Sequence, residues 1–422
     1  MESQRRKTIN DPIHGFITIN SSLLLSILDH PSMQRLRRIR QLGMTNLVYP
    51  GAQHTRFQHA LGAMHLMSLA VDTLRSKGHH ITDAEKEAVE AAILMHDIGH
   101  GPFSHALEHS IVDSVEHEQI SKVLMELIND EVGGELELCL NIFKNQYVKP
   151  FLYQLISSQL DTDRLDYLKR DSFYTGVIEG TIGSDRIIKM LDLHGGQLVV
   201  EAKGLYSTEK FLIARRLMYL QVYMHKAVIS AEKMQIQILR RAKYLVRNGV
   251  EVYATPSLSF FLHNNVDLDA FGDREVVQQF LMLDDTDILA SIKVWMSHSD
   301  RILAWLSTAF VNRELFRTLI SHAPFPDGFD AELKAKVKAV YGVDDDEATY
   351  LVYGGQLSNS TYTHDSGNIN ILFSNGQVRD ISEVSSVISA VSENDCGRRY
   401  YVCYPKNIDK MAADKLNRKI IL

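Results

Sequence analysis

The stretch Ala91-Ala-Ile-Leu-Met-His-Asp-Ile-Gly-His-Gly-Pro-Phe-Ser-His105 decides how this chain is read. An apolar, helix-like run ends abruptly in His96-Asp97, followed by His100, a Gly101-Pro102 break and His105. An imidazole beside a carboxylate offers a neutral nitrogen and a hard oxygen, a donor mix that suits a divalent cation. Gly99, Gly101 and Pro102 stop the helix where such donors need to face a cavity. One histidine at a helix C-terminus would be accounted for by the macrodipole. Three His and an Asp within residues 96–105 argue for a site.

Outward from this stretch, composition sets the bounds. The 422 residues are 45% hydrophobic and 23% charged, ordinary values for a globular chain with a sizeable core. Lys and Arg number 45 against 52 Asp and Glu, so the net charge of −7 gives no global bias toward nucleic acid or anionic membrane. The odd set Cys139, Cys396 and Cys403 has no metal spacing and no disulfide framework, which fits a reducing cytoplasm. The N-terminus carries no signal-peptide pattern, and no apolar run of the length needed to span a membrane is present.

Periodicity points to a mainly α protein. Residues 58–77 place Ala63, Met67, Ala70, Val71 and Leu74 on one helical stripe. Thr82-Asp-Ala-Glu85 is a capping box that starts the helix running into His96. Further helices are expected at 21–29, from Pro31, and at 104–110, 115–129, 150–159, 163–171 and 184–191. Later ones are expected at 273–282, 286–297, 299–310 and 312–321, with one long helix over 207–247. The Pro31 helix is expected to carry Gln34, Arg35, Arg37, Arg38 and Arg40 on a polar face. Residues 8–18 read as an extended arm with a turn at Asp11-Pro12, and 195–204 as half of a small hairpin. From about 346 the runs become short and β-rich, with Asn375-Gly376 as a hairpin signal. The expected organisation is a helical body over 1–345, with its metal core at about 50–175, and a small α+β region over 346–422.

Helical metal hydrolases collect their donors from several helices. Beside His96-Asp97, the candidates are His59, at the start of the preceding helix, and Asp163, within Leu160-Asp-Thr-Asp-Arg-Leu-Asp-Tyr167. Asp163, Asp166 and Tyr167 share one helical face, while Asp161 is placed to cap.

The order His59…His96-Asp97…Asp163 resembles the signature of the HD-domain phosphohydrolases. The segments Asn10-Asp-Pro-Ile-His-Gly15, Gln34-Arg-Leu-Arg37, Gln41-Leu-Gly43, His54-Thr-Arg-Phe-Gln-His59, His117-Glu-Gln119, Asp163-Arg-Leu-Asp-Tyr167, Arg170-Asp171 and Tyr223-Met-His-Lys226 narrow the resemblance to the deoxynucleoside triphosphate triphosphohydrolases. It covers roughly residues 7–320. It implies an HD-domain helical body that splits a dNTP at the α-phosphorus into deoxynucleoside and inorganic triphosphate. One divalent metal ion (Fe, Mn, Mg or Zn) would be held by His59, His96, Asp97 and Asp163.

By the same resemblance, His100, His105 and His117 face the substrate. Glu108 and Glu118 stand close in sequence to His105 and His117, where a carboxylate can orient an imidazole for proton transfer; either histidine is the candidate donor to the leaving 5′-oxygen. Arg56, Arg164 (often Lys in the family), Arg215 and Lys226 are candidate phosphate contacts. Gln41, Leu42, Tyr167, Asp171 and Tyr223 would line the deoxyribose pocket, with Tyr223 where a 2′-hydroxyl would sit. Asp29, Gln34 and Arg37 match positions that read guanine in the family's allosteric pocket, with Lys7 and Asn10 at its phosphates and Arg313 and Arg317 reaching in from a neighbouring subunit. This implies a guanine nucleotide effector and a homodimer or homotetramer. The alternatives are another HD phosphohydrolase, a nucleotidase or phosphodiesterase, and a nucleic-acid-binding module, against which the acidic charge and the lack of interleaved aromatic and basic residues count.

Overall fold

The periodic segment after His54 forms the central helix, Arg56–Ser76. Thr55 and Gln58 cap it reciprocally. Ala63, Leu66, Met67, Ala70, Val71 and Leu74 are fully buried, and so are His59 and Ala60 at the start of the same stripe. Small side chains let neighbours close in on both sides: the Asp83–Met95 helix on one and the Thr162–Thr175 helix on the other. These three helices carry the residues around His96-Asp97, and the rest of the mainly α fold is built around them. The computed structural model describes residues 6–103, 115–358, 368–394 and 398–408. The expected helix at 104–110, with His105 and Glu108, lies outside the described residues, as does Cys396.

The N-terminal arm is a hairpin, Lys7–Asp11 paired antiparallel with Gly15–Ile19. Its turn is closed by the Asp11 carboxylate, which accepts from the amides of Ile13 (2.9 Å) and His14 (3.0 Å). The Thr82 cap forms as expected and starts the helix that ends at Met95.

Three segments depart from the periodic reading. The helix opened by Pro31 stops at Arg35 and passes into a tight 3₁₀ turn, Leu36–Arg38. Arg35 leaves the polar face and is wholly buried, donating to the carbonyls of Leu283 (3.0 Å) and His100 (2.8 Å). The long helix over 207–247 is two helices, Leu205–Met218 and Lys226–Arg247, joined by a π turn at Tyr219–Tyr223. No Pro or Gly announces the break. Tertiary contacts make it: the Tyr49 hydroxyl takes the Gln221 carbonyl (2.7 Å), and His225 adopts extended backbone angles to cap the second helix. The expected helix over 312–321 is a turn followed by a strand, Arg317–Ser321, because the chain reverses at Arg313 (φ 59°) and then finds a strand partner.

Two sheets draw strands from both sides of residue 345. Arg398–Tyr404 lies between Arg317–Ser321 and Tyr353–Ser358, antiparallel to each. The hairpin Leu191–His194/Gln197–Glu201 is extended by Asn370–Leu372, which runs parallel to it through the Val200–Ile371 pairing, and then by Val378–Asp380 across the Asn375-Gly376 turn. Among the described residues no helix is long and apolar enough to cross a membrane.

Candidate metal centre

His59 enters on the first turn of the central helix, His96 and Asp97 where the next helix ends, and Asp163 on the first turn of Thr162–Thr175. Asp161 caps that last helix, accepting from the Arg164 amide, which leaves Asp163 turned inward. One Asp163 oxygen lies 3.0 Å from His59 Nε2 and 3.5 Å from His96 Nε2. Asp97 approaches the same two nitrogens at 3.9 and 3.3 Å. The structure therefore brings together, from three helices, the four donors expected from the sequence.

The donor set fits a divalent cation. Each imidazole has its Nδ1 committed elsewhere, that of His59 to Asp166 (2.8 Å) and that of His96 to the Ile93 carbonyl (2.7 Å), so both Nε2 atoms face the cluster. Both Nε2 atoms are buried and make no well-formed hydrogen bond. Burial opposes a charge on His59, yet the carboxylates of Asp163 and Asp166 outweigh it and hold the ring's pKa up at about 10. Burial likewise opposes ionisation of Asp97, but His96, His100 and Arg56 keep it well below the usual carboxylate range. A pocket that pulls this strongly for positive charge is one a cation satisfies without protonating its ligands.

Beyond the donors, His100 Nε2 lies 3.3 Å from Asp97, and its ring stacks on that of His117 at 3.7 Å. Burial and the Arg56 charge push His100 well below the usual histidine range. Its loop is clamped from behind by Arg35 at the His100 carbonyl and by Asp285, which accepts from the Phe103 amide (3.1 Å). Gly99 lets this loop close on the His117–Glu131 helix: a Cβ there would meet the His117 carbonyl oxygen and the Ser121 amide at 2.3 Å. A cavity of about 200 Å³ opens over the donors, lined by His96, Asp97, His117, Glu118, Asp163 and Arg164 together with Lys122, Lys144 and Tyr153.

Of the expected phosphate contacts, Arg56 is buried and bonds Asp97 (2.5 Å). Arg164 pairs with Asp161 at the cavity wall. Arg215 donates to Gln159 (2.9 Å) and, with Arg164, lies in the electrostatic surroundings of Tyr167. Lys226 is not with them. It lines a second cavity, about 570 Å³, with Arg313, Arg317, Arg399 and Lys406. The expected sugar residues form one continuous wall. The Tyr167 ring stands edge-on between His59 (6.5 Å) and Tyr223 (6.4 Å). The Tyr223 hydroxyl donates to one Asp171 oxygen (2.7 Å), His54 Nε2 holds the other (2.7 Å), and the His54 carbonyl accepts from the Gln41 amide (3.0 Å). The Gln41 side-chain oxygen is buried without a partner, and Leu42 packs against the core beside it.

Of the residues matched to an effector pocket, Lys7 and Asn10 lie on the hairpin, Asp29 and Gln34 on the two short helices that follow it and Arg37 in the 3₁₀ turn beyond, with Arg313 and Arg317 far along the chain. Lys7 pairs with Asp29 (2.8 Å), Arg37 donates to Gln34 (2.8 Å) and lies over the Phe57 ring (3.6 Å), and Asn10 pairs with Phe16 in the hairpin. Arg313 donates to the Leu47 carbonyl (2.7 Å).

Sequence reasoning assigned no role to Asp11, His14, Arg35, His54, Asp166 or Arg170, all of which the structure puts against the site. All six stand inside segments that carried the family resemblance, and Asp166 was already placed on the Asp163 face. Lys122, Lys144 and Tyr153 had no signal at all.

Comparison with known proteins places the chain among relatives. Residues 56–159 match the HD domain family model, and residues 182–251 match the model of the HD associated region. The chain is 31% identical to the uncharacterized protein YwfO of Bacillus subtilis, over 95% of this chain and 93% of that one. It is 35% identical to the human deoxynucleoside triphosphate triphosphohydrolase SAMHD1, over 43% of this chain and 35% of that one. Among solved structures, a phosphohydrolase from Bacteroides thetaiotaomicron superposes with a TM-score of 0.91 at 50% identity, covering 95% of this chain and 100% of that one. With an HD domain match and similarity to the Bacillus subtilis protein and the Bacteroides thetaiotaomicron phosphohydrolase along nearly its whole length, the chain belongs to the HD-domain phosphohydrolase family.

Proposed function

We propose that this chain is a metal-dependent dNTP triphosphohydrolase, cleaving a dNTP to deoxynucleoside and inorganic triphosphate. The observation that carries the reading is the joining of the His59–His96–Asp97–Asp163 cluster to the Tyr167–Tyr223–Asp171 wall, with Arg164 at the cavity over the donors. A cation held by the four donors supplies Lewis acidity at the α-phosphate and lowers the pKa of a bound water. Arg56, Arg164 and Arg215 neutralise the polyphosphate and set its register. His117, whose ring stacks on that of His100 and lines the cavity, is the candidate proton donor to the departing 5′-oxygen; His105 is the alternative donor. The Tyr223 ring, fixed through its hydroxyl by Asp171, excludes a 2′-hydroxyl by bulk.

Guanine-nucleotide activation belongs to the same reading. Asp29 can accept from the guanine N1–H and N2–H, while Arg37 can donate to O6. Lys7 and Asn10 would lie at the effector phosphates, with Arg313 and Arg317 reaching in from a second copy in a homodimer or homotetramer. The basic cavity that joins Arg313 and Arg317 with Lys226 supports an anionic occupant there and gives Lys226 a place in effector binding. Incubating each dNTP with Mn²⁺ or Mg²⁺, with and without GTP, tests both parts. Deoxynucleoside with triphosphate is the expected product, with a sigmoidal dGTP dependence lost in Arg37→Ala. Monophosphate products would favour a nucleotidase or phosphodiesterase, and no turnover under any condition would refute the reading.

A further inference from the structure

The Asp166 carboxylate is wholly buried and uses both oxygens twice. Oδ2 accepts from His59 Nδ1 (2.8 Å) and Arg170 Nε (2.9 Å). Oδ1 faces His14 Nε2 (2.7 Å) and accepts from Arg170 Nη2 (3.0 Å). Arg170 continues the chain outward, donating to both oxygens of Asp11 at 2.9 and 3.3 Å. Asp11 is fixed in turn by the amides of Ile13 and His14 in the hairpin turn. A line of buried groups thus runs from the N-terminal hairpin to the back of His59.

A structural role for Arg170 would be met by one carboxylate, and Asp11 already supplies it. The second carboxylate points at the one ring nitrogen of His59 that does not face the donor cluster. An anionic acceptor at Nδ1 keeps the proton there and leaves the Nε2 lone pair free. The central helix makes room for this arrangement: a Cβ on Gly62 would sit 2.0 Å from Asp166 Oδ1 and 2.3 Å from Arg170 Nη2.

We propose that Asp166 is a positioning residue for the cation site, fixing the tautomer and orientation of His59, and that Asp11 and His14 of the N-terminal hairpin hold Asp166 in place. The proposal rests on His59 being a cation ligand. It makes the hairpin turn an outer part of the metal centre, so cation affinity depends on residues that never touch the cation.

The test is titration of the metal-free full chain with Co²⁺, read by calorimetry and visible absorption, alongside thermal unfolding of the metal-free forms. Asp166→Asn is expected to weaken Co²⁺ binding about 10–100-fold and to alter the ligand-field bands, at unchanged stoichiometry. Asp11→Asn should weaken binding in the same direction by a smaller factor. A folded Asp166→Asn with wild-type affinity and spectrum, differing only in melting temperature, would mean a purely structural role and overturn the proposal. Should Asp166→Asn fail to fold, the wild-type protein loaded with Zn²⁺ and labelled with ¹⁵N-histidine decides: a His59 proton on Nδ1 supports the proposal, and one on Nε2 overturns it. Asp163→Ala separates the two levels. If it binds Co²⁺ like wild type, the donor assignment fails and the proposal with it; if it loses Co²⁺ while Asp166→Asn does not, the positioning role alone is wrong.

Discussion

Adding one methyl group at Gly62 should do disproportionate damage. A carbon at that Cβ position lies 2.0 Å from Asp166 Oδ1, 2.7 Å from its Cγ and 2.3 Å from Arg170 Nη2, whereas comfortable separation is about 3.5 Å. The neighbours must therefore retreat by more than about 1 Å. Neither can do so cheaply, because both side chains are fully buried and Asp166 is held from four directions. A shift of that size breaks the Asp166–Arg170 pair, and disrupting a buried ion pair costs about 3–5 kcal/mol. Unfolding 422 residues at about 2 cal/mol/K per residue gives an entropy near 0.9 kcal/mol/K, so Gly62→Ala should melt about 3–6 °C lower. Scanning calorimetry of the metal-free protein measures this directly. Gly272→Ala is the control: that glycine has open space around its missing Cβ and should stay within about 0.5 kcal/mol of wild type. A Gly62→Ala protein that melts like the Gly272→Ala control would refute the close-packing argument.

Three other outcomes are expected. Asp163→Ala should abolish bound metal, measured by elemental analysis, whereas Asp161→Ala should keep metal while losing a helix cap, at about 1 kcal/mol, and the ion pair to Arg164. Burial pushes the Glu85 carboxyl up, but Lys149, Tyr147 and the Thr82 amide outweigh it and hold its pKa at about 2. A depressed pKa stabilises the fold above the ordinary carboxyl value and loses that contribution as pH falls toward about 2, so denaturant unfolding of Glu85→Gln should show a flatter pH dependence between about 4.5 and 2. Tyr223→Ala should raise the turnover of ribonucleoside relative to deoxyribonucleoside triphosphates by about 10-fold or more; an unchanged ratio in a competition assay would remove Tyr223 from sugar selection.

Two of the helix starts near the cluster were legible from local chemistry, the Thr82 box of the helix that runs into His96-Asp97 and the Asp161 cap before Asp163, whereas the Thr55–Gln58 cap before His59 is seen only in the structure. Local chemistry fixes helix ends, by capping residues at the start of Thr162–Thr175 and by the Gly99 and Gly101-Pro102 break just after His96-Asp97, and residues there inherit that predictability. What was not legible depends on partners far along the chain. Arg35 reads as a surface charge until Leu283 and His100 are known to present carbonyls to it. The break at Tyr219–Tyr223 has no local breaker, only a hydroxyl donated by Tyr49. Phe316-Arg-Thr-Leu-Ile is short enough to be helix or strand, and pairing with Arg398–Tyr404 decides it.

That pairing also orders events in time. In the sheet formed by Arg317–Ser321, Arg398–Tyr404 and Tyr353–Ser358, the middle strand is the one made last. The two flanking strands leave the ribosome first and have no hydrogen-bonding neighbour in this sheet until the chain has passed residue 404. During synthesis they are open edges, the kind that pair with other chains. The helices that carry the donors all precede these strands in the chain and can consolidate while they wait. A premature stop shortly before Arg398 would thus leave the donor-bearing helices intact and the nascent chain prone to aggregation.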